Sequence, residues 1–197
     1  MKINKLAAEL LLVPGLASGA ESTDPDWPCI QRKVENLSPG LMWTAPVTPA
    51  ELSPDARALA SKLALRRVSL NESQALIAAY VTDHPETTEN DLGNIFTAVF
   101  EKIGKDRRRV MGGIASYAHS QVALAGRINT ARVEMDNLSD AEKPDFDRID
   151  QIEEQIAWDE RIYNDRERSL GYVCETPVLL EKRLYAIAQM LQAALPH

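Results

Sequence analysis

The residues best equipped for nucleophilic or metal chemistry in this chain are two cysteines, Cys29 and Cys174, and three histidines, His84, His119 and His197. None has the spacing that such chemistry uses. A thiol redox centre needs a Cys-x-x-Cys pair and a covalent haem needs Cys-x-x-Cys-His, and neither occurs. A catalytic thiol would require a histidine brought in from a distance. There is no Glu-x-x-His or His-Glu-x-x-His, no phosphate-cradling Gly-Lys-Ser/Thr loop and no Gly-x-Ser-x-Gly elbow. The acids Asp145, Asp147, Asp150, Glu153 and Glu154 crowd together without the Asp-x-Asp-x-Asp-Gly pattern of a calcium loop, and read as a solvated helix face. Lys105 to Arg109, "KDRRR", spreads around a helix and reads as a surface cluster able to meet acids or an anion. No metal site, cofactor or catalytic residue is indicated, and an enzyme is the least supported class.

What the two thiols can do depends on compartment. Residues 1–20, "MKINKLAAELLLVPGLASGA", combine Lys2 and Lys5 with an apolar stretch from Leu6 to Leu16 and a small-x-small ending. That pattern predicts a cleaved secretory signal, and the stretch is too short for a transmembrane anchor. A periplasmic or secreted location follows as an expectation, and there a Cys29–Cys174 disulfide is the natural pairing. Loss of Lys2, Lys5 and Glu9 takes the net charge from −7 to −8. This acidity argues against general binding to nucleic acid or anionic lipid.

The elements that would position these residues are helical. Residues 21–50 hold five prolines beside Trp27 and Trp43, which predicts an extended arm laid over a helical body, with the tryptophans as anchors or as side chains offered to a partner. Helices are predicted from Ser53-Pro54-Asp55 and from Ser69-Leu70-Asn71-Glu72. From Phe96 to Leu138, alternate steps of four and three meet thirteen positions, eleven of them apolar. "SDAEKPD", Ser139 to Asp145, turns, and Ile149, Ile152, Ile156, Asp159, Tyr163, Arg166 and Leu170 resume the pattern. These two stretches predict a long antiparallel coiled-coil-like hairpin over about 88–170, with Leu138 near Phe146, Met135 near Ile149, Ile128 near Ile156 and Ile114 near Leu170. Gly104 and Gly112-Gly113 are the places where the first rod could bend. Gly171 reads as a helix cap, Cys174 as part of a turn, and Pro177 as the first residue of a last helix over about 177–195.

The expected fold is therefore an all-α bundle of five or six helices, with one domain over 51–197. Arg107, Gln121, Asp159 and Arg166 interrupt the apolar seam, either fixing its register or lining a polar pocket. The expected function is contact with a protein partner, as an adaptor, chaperone-like factor or accessory subunit, with a homodimer also open. The alternative is a small binding protein that holds a cation or anion on the polar seam residues or the acidic face.

Overall fold

The computed structural model describes residues 26–195. The expected signal, residues 1–20, lies outside them, and so does His197. The described chain is all-helical, with no strand among those residues. An extended arm with one 3-10 turn, Pro39–Leu41, leads into α1 (Pro54–Leu63), α2 (Leu70–Asp83), α3 (Glu89–Ser139) and α4 (Phe146–Ala193).

Each helix starts where a side-chain oxygen satisfies an otherwise orphaned backbone N–H. Ser53 Oγ accepts from Ala56 N at 3.2 Å, and Ser69 Oγ accepts from Glu72 N at 3.1 Å. Thr88 and Asp91 form a reciprocal capping box at the head of α3, and these hydrogen bonds hold the Asp91 carboxyl below the usual carboxylate range. Asp145 Oδ1 accepts from Arg148 N at 3.1 Å to open α4.

The long hairpin is present. Helices α3 and α4 pack against each other along their length, α1 lies on α3, and α2 lies on α4. Three apolar clusters succeed one another along the seam. The base unites Leu59 and Leu63 of α1 and Ile77 of α2 with Leu92, Phe96 and Ile103 of α3 and Leu184, Ile187 and Leu191 of α4. The middle holds Trp27, Cys29, Met111, Ile114 and Cys174. The distal cluster, Leu124, Ile128, Ala131, Ile152 and Ile156, draws on α3 and α4 alone. Beyond Ile114 the two helices run for another 25 residues, roughly 35 Å at the rise of an α-helix.

The predicted register survives in polar contacts as well as apolar ones. Tyr117 Oη donates to Arg166 O at 3.0 Å, and Gln121 Nε2 donates to Tyr163 O at 3.1 Å. Further out, Arg148 Nη2 meets Glu134 at 2.8 Å. Phe146 departs from the expected pairing. It is 70% exposed at the first residue of α4 and does not close the seam against Leu138.

The end of the hairpin also differs from expectation. Gly171 is no cap, because it lies inside α4 and no glycine among the described residues has a positive φ, and Cys174 sits inside the same helix rather than in a turn. Pro177 is an interior residue of the same helix, so among the described residues four α-helices stand where five or six were expected. An interior proline lacks an N–H and crowds the carbonyl four residues back, at a cost of about 3 kcal/mol. The helix runs on because both flanks are buried. Cys174 is in the middle cluster, while Leu180 and Leu184 are in the base, so a break would pull one set out of its core. Tertiary burial outweighs the local stop signals.

Helix α3 runs without interruption through Gly112 and Gly113, and a Cβ at either would meet nothing within 4 Å. Each glycine therefore weakens the helix without serving a contact. Gly112→Ala and Gly113→Ala are expected to raise stability by about 1 kcal/mol each. Urea denaturation of the two single variants checks this, and unchanged or lowered midpoints would contradict it.

The arm is held on the hairpin by side chains that capture its backbone. Asn90 and Asn94, one turn apart on α3, act as a clamp. Asn90 Oδ1 accepts from Thr48 N at 2.7 Å, Asn94 Oδ1 accepts from Ala50 N at 3.0 Å, and both amide nitrogens donate to Thr48 O. Gln192 Nε2 of α4 donates to Met42 O at 2.8 Å. Trp43 stacks on Phe96 with ring centroids 5.5 Å apart. Gly93 makes this approach possible, since a Cβ there would lie 2.7 Å from Val47 Cγ2 and 3.3 Å from Trp43 Nε1. Valine is stiff at χ1 and cannot swing clear cheaply. Gly93→Ala is expected to cost about 1–3 kcal/mol and to loosen residues 43–50. Hydrogen exchange of the Thr48 and Ala50 amides reports that loosening, and unchanged protection would refute it.

Candidate functional site

The middle of the hairpin is where the arm, α3 and α4 meet. Cys29 and Cys174 are joined here with Cα atoms 5.5 Å apart, linking the arm to the interior of α4. Trp27 is buried against this bond, and its Nε1 donates to Gln31 O at 2.6 Å. Trp43 is buried in the base. Both tryptophans therefore anchor the arm, and neither presents its ring on the surface.

Arg107 is the first polar interruption of the seam, and it reaches neither an acid nor a pocket. Its guanidinium donates to Glu35 O at 3.3 Å and to Val34 O, while Nε is buried without a partner. Burial pushes the group below the usual guanidinium range, opposed by the charge of Glu181. It stays cationic, because arginine starts so far above neutral. Gln121 bonds a backbone carbonyl of α4, as described. Asp159 is buried with Oδ1 3.4 Å from Arg127 Nη2. Arg166 is half-buried and takes part through its carbonyl. These four residues lie at separate levels of the seam, each with its own engagement, and do not converge.

The remaining sequence candidates are surface groups. Arg109 pairs with Asp106 at 3.2 Å, and Lys105 and Arg108 are exposed, so "KDRRR" divides into one buried clamp and a solvated face. His119 Nε2 lies 3.0 Å from Asp26 Oδ1, tying the start of the described arm to α3. His84 is flanked by Asp55 and Glu86 at 3.7 and 3.5 Å. Among the described residues no three His, Cys, Asp or Glu side chains come together as a metal-holding group, and no helix is long and apolar enough to cross a membrane.

Two features escaped sequence reasoning. One is Arg183, buried on α4, which donates to Leu63 O through Nε and Nη2 at 3.0 and 2.7 Å and to Val68 O through Nη1 at 2.7 Å. It also meets Ser73 Oγ at 3.3 Å. It thus closes the C-terminal end of α1, where a cation opposes the partial negative charge of the helix. Its place beside the apolar stripe of Leu180, Leu184 and Ile187 was the available signal.

The other is a groove of about 910 Å³ on the flank of the disulfide, lined from the arm by Pro28 and Ile30, from α3 by Ala118 and Val122, and from α4 by Leu170 and Tyr172. Gln31 and Gln121 also line it, and each carries a buried amide oxygen without a hydrogen-bond partner. An unpaired buried acceptor costs about 1–3 kcal/mol. The size lies in the usual range of ligand sites. Nothing in the local sequence of any one element announces it, because three elements build it together. Comparison of the chain with protein-family models, with curated proteins and with solved structures finds no match, so the arrangement of residues is itself the basis for any functional reading.

Proposed function

We propose that this is an exported, non-enzymatic protein that works by contact with a protein partner, as an adaptor, chaperone-like factor or accessory subunit. One observation carries the reading. The hairpin extends beyond the four-helix base as two helices only, and its outer surface keeps large apolar side chains in water, with Phe146 70% and Trp158 61% exposed. Aromatic side chains are the commonest anchors of protein interfaces. Export is supported by the pattern of residues 1–20 and by the disulfide, a bond that persists in oxidising compartments. The four polar seam residues are individually engaged and offer no common ion site.

A photo-crosslinking amino acid placed at position 158 or 146 of the full chain, in cells that make it, tests the contact. A discrete adduct from either position, absent when the probe stands at the base residue Ala58, is expected. Equal labelling from all three positions, or none, would count against the hairpin as the contact surface. Cell fractionation of the same strain locates the protein, and recovery in the cytoplasm with residues 1–20 intact would overturn export.

A further inference from the structure

The groove beside the disulfide has a chemical bias of its own. Its mouth carries Ile30, 96% exposed, Val122, 66%, and Tyr172, 80%, one from each element that forms it. Single exposed apolar residues are unremarkable, but a contiguous set around a concavity marks a contact site. The polar groups point one way. Arg168, the sole cation of the lining, is engaged by Asp165. Glu167 and Glu175, also of the lining, are exposed and have no ion-pair partner among the described residues. The unpartnered amide oxygens of Gln31 and Gln121 are acceptors as well. Among the charged groups of the lining, the unengaged ones are the carboxylates of Glu167 and Glu175, which ask for donors. An occupant that satisfies both sets has an apolar body and N–H-rich cationic groups.

We infer that the groove receives a peptide segment of a partner protein in which apolar side chains stand beside lysine or arginine. The inference rests on the contact role proposed above and names the chemistry of one of its surfaces. The apolar side chains cover Ile30, Val122 and Tyr172. The cations meet Glu167 and Glu175. The net charge, −7 for the full chain and −8 from Glu21 onward, favours the approach of such a segment at low salt.

The test uses the chain from Glu21 onward and three fluorescein-labelled octapeptides, alternating leucine with lysine, leucine with glutamate, and serine with lysine. Fluorescence anisotropy is expected to show saturable one-to-one binding of the leucine–lysine peptide and at least tenfold weaker binding of the other two. I30S with Y172S is expected to weaken binding at least tenfold with an unchanged melting temperature, since both side chains are exposed in the free protein. E167Q with E175Q is expected to weaken it at least fivefold and to flatten its salt dependence. Equal binding of the leucine–glutamate peptide would reduce the groove to an unselective apolar surface and overturn the inference. So would absence of saturable binding, or unchanged binding by both double variants. Crosslinking at positions 146 and 158 reads a different surface. Adducts there without peptide binding remove the groove inference alone, and peptide binding without adducts sustains the groove while removing the hairpin tip.

Discussion

Replacement of Arg183 by methionine is expected to lower stability by about 3 kcal/mol, which for a domain of this size moves the thermal midpoint down by roughly 6–12 °C. Methionine fills similar space, so the loss reads hydrogen bonding and not a cavity. Without the guanidinium, Leu63 O and Val68 O remain buried beside residues that are themselves buried, and the end of α1 loses its cation. Arg183→Lys keeps the charge but not the planar fork, and should recover less than half of the difference. Urea denaturation of the three proteins decides the matter. A loss below 1 kcal/mol in the methionine variant would mean that water or backbone adjustment takes over the role of the guanidinium.

Cutting the Cys29–Cys174 bond is the second large effect. A loop of 145 residues corresponds to about 5 kcal/mol on the chain-entropy account, while measured bridges usually contribute about 2–4. The double variant Cys29→Ser/Cys174→Ser, and the wild-type protein under dithiothreitol, are both expected to lose about 2–4 kcal/mol. The arm should nevertheless stay seated in its folded state, because the clamp from Asn90 and Asn94, the Gln192 bond and the two bonds from Arg107 remain. Adding Arg107→Met to the double variant removes the nearest of these, and only then should Trp27 emission shift to the red without global unfolding. A red shift from reduction alone would show the disulfide to be the principal tether. A stability loss below 1 kcal/mol would refute the loop-closure account.

The hairpin was legible because its signal repeats. Many positions at steps of three and four fix both the face and the register, so the misplacement of a single residue such as Phe146 leaves the pattern intact. The disulfide was legible by elimination, since two cysteines have one intramolecular pairing. Pro177 and Gly171 misled because turn chemistry is local, whereas the continuity of α4 is set by clusters on both sides of them. Arg183, Asn90 and Asn94 were not legible for a related reason. Their partners are backbone carbonyls and amides from elsewhere in the chain, and backbone groups leave no trace of themselves in side-chain patterning. The groove was hidden more deeply, because it exists only where an irregular arm crosses two helices.

The separation of the two cysteines also sets a schedule. Cys29 leaves the ribosome 145 residues ahead of Cys174, an interval of roughly 7–30 s at ordinary synthesis rates. Until then its thiol has no partner within the chain and is open to exchange with any small thiol or oxidase it meets. The bond therefore cannot guide early collapse, and it locks an architecture whose other parts have already been made. Nascent chains that stop short of residue 174 carry Cys29 as a free or borrowed thiol, a chemical mark by which unfinished molecules differ from complete ones.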